Sequence, residues 1–118
     1  MKKLVIAAAL AAAITPSPAS ATNWVEVARS MDGINVVWVD ADRIVRGKDS
    51  TGIWMRLSLK NGAYAISLVA LRCPSRTYMD LKKTYFDRNG TATTLDVTEE
   101  WEFATPDTVM DGVFDKLC

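Results

Sequence analysis

The sequence predicts an α+β fold, an antiparallel meander sheet of about six strands with one C-terminal helix packed on it. Three observations support this prediction. From Trp24 onward, apolar and polar residues alternate with a period of two, which is typical of half-buried strands. Asn-Gly and Asp-Gly pairs separate successive runs, and such pairs favour the tight turns of antiparallel hairpins. Near the C-terminus the apolar period changes to that of a helix.

Residues 1–21 are predicted to be a signal peptide that is cleaved after Ala21. Lys2 and Lys3 precede an apolar run of 11 residues, and the segment ends in small residues at the cleavage site. The run is shorter than the roughly 20 residues of a membrane-spanning helix, although a membrane anchor remains the alternative. No cysteine sits at the cleavage site, where Thr22 follows Ala21. We therefore expect an exported protein, in the periplasm, at the cell surface or secreted, without a lipid anchor.

Residues 22–118 then form one domain of 97 residues. Removal of Lys2 and Lys3 from the 14 basic residues leaves 12 against 14 acidic residues, a formal net charge of −2. This balance gives no electrostatic reason to expect a nucleic-acid partner. We also expect no membrane span in the mature chain.

The first five predicted strands lie between Trp24 and Phe86. The fourth is apolar on both faces, which predicts a position in the interior of the sheet. The connections contain the turn pairs and are too short for crossover helices, so neighbouring strands are predicted to be antiparallel. In chain order the strands are Trp24–Arg29, Val36–Val39, Ile53–Leu59, Tyr64–Leu71 and Arg76–Phe86.

A sixth strand and a helix complete the chain. The apolar residues of the sixth strand are predicted to face the core, and they are Leu95, Val97, Trp101 and Phe103. Thr105 is the predicted helix cap, and Pro106 fits the first helical position. The helix is about 12 residues long, which is marginal alone in water, so it must pack on the sheet. Its apolar stripe comprises Val109, Met110, Val113, Phe114 and Leu117.

The two cysteines are Cys73 and Cys118. An even count in an exported protein predicts one intramolecular disulfide, with two free thiols or a bridge between chains as the alternatives. A zinc site is less favoured, because the chain has no histidine to complete the usual ligand set.

Catalytic chemistry has little support in this sequence. The absence of histidine removes the commonest general base and the Ser-His and Cys-His pairs. Asp40 and Asp42 share one side of an extended segment, but we interpret them as solvated acids with Arg43 as their partner rather than as a cation site. We therefore predict no catalytic, cofactor-binding or metal-binding residues, and we predict that the protein is not an enzyme.

The four tryptophans either form an aromatic binding face or pack in the core; they are Trp24, Trp38, Trp54 and Trp101. Core packing is the favoured interpretation for most of them. Trp54 is the exception, because it lies opposite Met55 and Leu57 in the alternation. We predict that Trp54 contacts the helix, a partner protein or a second copy of the chain.

The order of landmarks along the mature chain resembles the surface-adhesin protein E-like family. The resemblance covers nearly all of residues 22–118 and includes the cysteine at the end of the final helix. The landmarks are Trp24-Val25-Glu26-Val27, a Val-Trp-Val-Asp stretch ending at Asp40, Arg43-Ile44, Trp54, Arg72-Cys73, Arg76, Tyr78, Tyr85-Phe86-Asp87, Gly90, Trp101, Pro106 and Cys118.

This resemblance implies an antiparallel sheet with a C-terminal helix tied to it by a Cys73–Cys118 disulfide. It also implies a role at the bacterial surface. The adhesin after which the family is named binds laminin, vitronectin and plasminogen, forms dimers and is associated with haem. The present chain lacks both a lipid-attachment cysteine and histidine, so we expect no lipid anchor and no cofactor.

The sequence therefore favours an exported bacterial protein-binding module that acts without catalysis and adheres to host matrix or serum proteins. The alternative is a periplasmic accessory, structural or inhibitor protein of the same fold with no host ligand. The expected partner is a protein of unknown identity, and a homodimer is a further expectation.

Overall fold

The computed structural model describes residues 22–118, which form one eight-stranded sheet with a single helix on one face. The signal peptide predicted for residues 1–21 lies outside the described residues. A 3₁₀ turn spans Lys60–Gly62, and the helix α1 spans Val109–Leu117. The strands are β1 (Trp24–Arg29), β2 (Val36–Asp40), β3 (Val45–Arg46), β4 (Thr51–Ser58), β5 (Tyr64–Arg72), β6 (Thr77–Phe86), β7 (Ala92–Leu95) and β8 (Glu102–Phe103).

Six strands follow one another across the sheet in the order β1-β2-β4-β5-β6-β7, and each is antiparallel to its neighbours. The predicted antiparallel meander with a C-terminal helix is therefore confirmed, and β5 lies in the interior as expected. The strand count differs, because β3 also pairs with β4 and β8 also pairs with β6. These two strands have two residues each, which is too short for an alternating pattern to reveal them.

The turn between β4 and β5 shows why Asn-Gly is a strong hairpin signal. Asn61 and Gly62 have φ angles of 61° and 80°, so both residues are left-handed. Asparagine and glycine tolerate this conformation better than other residues, and two such residues in succession match the twist of antiparallel strands. The turn aligns Ser58 with Tyr64 at the start of the β4–β5 ladder.

The predicted sixth strand is interrupted. Lys83 pairs with Leu95 and Tyr78 pairs with Glu102, so six intervening residues face only four residues of β6. Such unequal lengths cannot maintain a continuous ladder, and residues 96–101 lie outside the strands. Leu95 and Phe103 are both exposed, Phe103 by 75%. The prediction that this strand faces the core is wrong at these positions.

The core lies between α1 and one face of the sheet. Val113 and Phe114 of α1 are fully buried. They pack with alternate residues of the interior strands, whose side chains all point to the same side. The buried sheet residues of this cluster are Val37, Val39, Ile53, Met55, Val69 and Leu71.

Small residues allow α1 to lie close to β1. Gly112 faces Ala28, and a Cβ atom added to Gly112 would lie 3.1 Å from the Ala28 Cβ. Because this spacing is tighter than an ordinary van der Waals contact, a larger side chain at either position would push the helix outward. The pair therefore fixes the height of the helix above the sheet.

The helix begins later than predicted. Its N-cap is Thr108, whose side chain accepts a hydrogen bond from the Asp111 backbone N–H. The Thr105 carbonyl accepts hydrogen bonds from the N–H and the hydroxyl of Thr108, so Thr105 belongs to a turn that precedes the helix. Asp107 is left-handed, with a φ of 64°, and cannot be part of a right-handed helix. The better signal was the capping-box spacing from Thr108 to Asp111.

Candidate functional site

The sheet face opposite α1 is covered by neither a helix nor a second sheet within residues 22–118, and we call it the helix-free face. Strand residues alternate between the two faces, so those that lie between core residues point to this side. Eight large side chains on this side are half-buried. They are Trp24, Trp38, Trp54, Arg56, Tyr64, Ile66, Leu68 and Phe86.

The tryptophans are the main correction to the sequence analysis. None of the four belongs to the buried core, and all four are half-buried. Trp38 lies between the core residues Val37 and Val39, so its side chain points to the helix-free face. Trp24 and Trp54 point to the same side. Core packing was therefore the wrong interpretation for most of them, and Trp54 does lie opposite Met55 as predicted.

Near the β4–β5 turn, the face carries a stack of one cation and two rings. The rings of Tyr64 and Phe86 are nearly parallel, with centroids 4.7 Å apart. The Arg56 guanidinium lies 4.2 Å from the Tyr64 ring centre. Arg56 was not singled out from the sequence. Its position two residues after Trp54 in an alternating strand was the signal that places it on this face.

A cavity of about 250 Å³ opens at one end of the face. Trp24 and Trp54 line it together with Ile66, and Asp40 lies beside them. Asp40 pairs with Trp24 across the β1–β2 ladder, so its carboxyl group lies on the same side of the sheet. A cavity of this volume has room for a single side chain of a partner.

Asp40 is not the solvated acid that the sequence predicted. It is only 1% exposed, and its Oδ1 accepts hydrogen bonds from the backbone N–H groups of Asn23 and Asp42. Its Oδ2 lies 3.4 Å from the Arg43 Nε, so the predicted partner is correct. This network stabilises the loop after β2 and holds the start of β1 to it. Asp42 itself is exposed.

The opposite end of the face carries further positive charge. The Arg72 guanidinium lies 3.7 Å from the Trp101 ring centre, which accounts for the position of the fourth tryptophan. Lys82 is exposed and pairs with Leu68 in the β5–β6 ladder, so it projects to the same side. Arginine on an aromatic face keeps its charge and its N–H donors available at the edge of the ring.

On the other side of the sheet, a disulfide and an ion cluster fasten α1. Cys73 and Cys118 form the predicted disulfide, so neither thiol is available as a nucleophile. The Arg76 Nη2 donates to the carboxylate and the backbone carbonyl of Asp111 and to the carboxylate of Asp115. The hydrogen bond from Arg76 lowers the pKa of Asp111, and the same bond raises the pKa of Arg76.

Residues 22–118 contain no group of three or more His, Cys, Asp or Glu side chains arranged to hold a metal ion. In the same part of the chain, no helix is long and apolar enough to cross a membrane. The arrangement on the helix-free face is suited to binding, because it combines aromatic area, one small cavity and unpaired cations.

No protein-family model, no curated protein and no solved structure matches this chain. The resemblance to the surface-adhesin protein E-like family therefore stands on the landmark residues alone. Among these landmarks, the helix-free face contains Trp24, Trp38, Asp40, Trp54, Arg72 and Phe86, and Trp101 packs on Arg72.

Proposed function

We propose that this protein is an exported bacterial module that binds another protein, without catalysis, through its helix-free face. The observation that carries the proposal is that Trp24, Trp38 and Trp54 share a face that no other layer of residues 22–118 covers. Aromatic side chains dominate the energy of protein interfaces, because each supplies a large contact area at a small entropic cost. Trp54 is the contact residue expected from the sequence.

The family resemblance supports adhesion as the purpose of this binding. The proposed partners are host matrix or serum proteins of the laminin, vitronectin and plasminogen type. In this proposal the protein acts at the cell surface or in the medium, and no cofactor takes part.

Location separates adhesion from the periplasmic alternative. The full chain is produced in a Gram-negative bacterium with its own N-terminal segment, and intact cells are treated with a protease. An adhesin is degraded under these conditions or is recovered from the medium. A protein that survives on intact cells and is degraded only after the outer membrane is opened refutes adhesion and supports the periplasmic accessory function.

Binding is measured by surface plasmon resonance with immobilised laminin, vitronectin and plasminogen. We expect Trp38→Ala and Trp54→Ala each to weaken binding by about 30-fold, the effect of losing roughly 2 kcal/mol at an interface hot spot. Met31→Ala is the matched control, because Met31 is apolar and fully exposed but lies in the β1–β2 turn. Equal binding by all three variants would refute the helix-free face as the binding surface.

The predicted homodimer is measured on the same variants by size exclusion with light scattering. If two copies associate through the helix-free face, Trp38→Ala is monomeric and Met31→Ala keeps the mass of the unmodified protein. A monomeric unmodified protein would refute the homodimer without affecting the proposal of a partner protein.

A further inference from the structure

Arg56 occupies the middle of the helix-free face. Its neighbours in the ladders are Trp38 on β2 and Ile66 on β5. The side chain is half-buried, with its guanidinium over the Tyr64 ring. Its Nε atom is completely buried and has no hydrogen-bond acceptor within residues 22–118.

Arg56 differs from the other basic residues of the described chain in having a buried nitrogen without a hydrogen-bond acceptor. In the part of the chain that the structure describes, ion pairs join Arg29, Arg43, Arg76 and Lys83 to acidic side chains, and Arg56 takes part in none of them. Arginine remains charged at physiological pH, and its planar set of N–H donors fits a carboxylate bidentately. The buried Nε is out of reach of an external acceptor, but Arg56 is only half-buried, so a carboxylate outside the protein would meet the terminal N–H groups of the guanidinium.

We propose that Arg56 is the carboxylate-binding residue of the helix-free face and that it receives an Asp or Glu side chain of the partner protein. Trp38 and Ile66 flank it and contact the apolar part of the same partner segment. This inference rests on the proposed function and deepens it, because it states the chemistry of the partner: an acidic residue next to an apolar or aromatic one.

The charge of the face distinguishes such a partner from a second copy of the chain. Arg72 and Lys82 add two cations that also form no ion pair within residues 22–118. The acids on this side are already engaged, Glu26 by Arg29 and Asp40 by its own network. A symmetric contact between two such faces would oppose like charges, whereas an acidic partner segment is attracted.

Two small probes differ only in the group under test. N-acetylphenylalaninate has an aromatic ring and a carboxylate, and N-acetylphenylalaninamide has the same ring with a neutral amide. Each is titrated into ¹⁵N-labelled protein, and the Arg56 Nε–H and Trp38 indole N–H signals are followed by NMR. We expect the carboxylate to bind at least tenfold more tightly, because charge-assisted hydrogen bonds contribute more than neutral ones.

Substitutions test whether Arg56 produces the preference for the carboxylate probe. Arg56→Gln is expected to reduce the tenfold preference to less than twofold, and Arg88→Gln, at the exposed β6–β7 turn, is expected to leave it unchanged. Arg56→Lys keeps the charge but loses the planar fork, so an intermediate preference is expected. Raising salt from about 50 to about 500 mM is expected to weaken only the carboxylate probe.

Three results would overturn the inference: equal affinity for the two probes, a preference that survives in Arg56→Gln, or a preference lost in Arg72→Gln instead. The amide proton spectrum of each variant shows whether it is folded, and Arg56→Lys serves if Arg56→Gln is not. If the carboxylate preference is absent but Trp38→Ala still abolishes binding of a partner protein, this inference fails and the proposed function stands. Conversely, the carboxylate preference stands if the probes bind as expected but no partner protein depends on Trp38.

Discussion

Removal of the Cys73–Cys118 disulfide is predicted to lower the free energy of unfolding by about 4 kcal/mol and to leave α1 packed on the sheet. The bridge joins residues that are 45 apart in sequence. In the chain-entropy model, a loop of this length corresponds to about 4 kcal/mol of lost entropy in the unfolded chain. Single domains have total free energies of unfolding of about 5–15 kcal/mol, so the bridge accounts for a large share.

The helix should remain packed because its other contacts do not involve the cysteines. Val113 and Phe114 are fully buried against the sheet. Arg76, which directly precedes β6, also donates three hydrogen bonds to Asp111 and Asp115 of the helix. The predicted loss therefore comes from a less restricted unfolded state and not from a detached helix.

The test is urea unfolding of the double variant Cys73→Ala/Cys118→Ala, followed by far-UV circular dichroism and by tryptophan fluorescence. We expect one transition at lower urea, with both signals coincident and a slope at least equal to that of the unmodified protein. The Phe114 amide should keep its protection from hydrogen exchange in native buffer. An early transition seen only by circular dichroism, or an unprotected Phe114 amide, would refute the reasoning. Adding Arg76→Gln to this background should then release the helix.

Three further predictions concern single side chains. Arg56→Met should raise the thermal midpoint by about 5 °C, because it removes a buried unpaired donor that costs about 1–3 kcal/mol and gives up a Tyr64 contact of about 0.5–1 kcal/mol. Asp40→Ala should lower the midpoint by about 10 °C, because two backbone donors lose their acceptor, a cost of about 2 kcal/mol. Stability should fall on acidification below about pH 4, where protonation of Asp111 ends its hydrogen bond with Arg76.

The pH prediction has a definite sign. Arg76 lowers the pKa of Asp111 in the folded state, so the stabilisation is complete above the unfolded pKa and is lost as the pH falls through the folded pKa. Denaturant unfolding at several pH values should show a shallower acid slope for Asp111→Asn. An unchanged slope would contradict this. For the other two variants, a lower midpoint for Arg56→Met or an unchanged one for Asp40→Ala would show that the assigned contacts are wrong.

The sequence predicted the features that depend on neighbouring residues. The alternation in β4 and β5 and the Asn61-Gly62 turn are local, and the structure confirms the resulting hairpin. The interruption after β7 was not predictable in this way, because it depends on how many residues of β6 lie opposite the segment. An alternating pattern contains no information about the length of its partner strand.

The burial of Asp40 also depends on a distant segment. Alternation places Asp40 on the same side as Trp38, which the structure confirms. Whether the carboxyl group meets water depends on the residues before β1, since Asn23 supplies one of its donors across 17 residues of sequence. From the local sequence alone, the two neighbouring acids were therefore predicted to be solvated. Tertiary contacts bury Asp40 instead.

The placement of the tryptophans follows from the number of layers in the fold. Trp54 and Met55 are adjacent large side chains in β4, so this strand presents apolar area to both sides of the sheet. The described chain has one helix of nine residues, about 14 Å long, which can cover only one of these sides. Domains bury each apolar face against another layer. Because residues 22–118 hold one covering layer for two apolar faces, a partner protein is the second layer in the proposed function, and Arg56, which forms no ion pair within that part of the chain, would favour an acidic one.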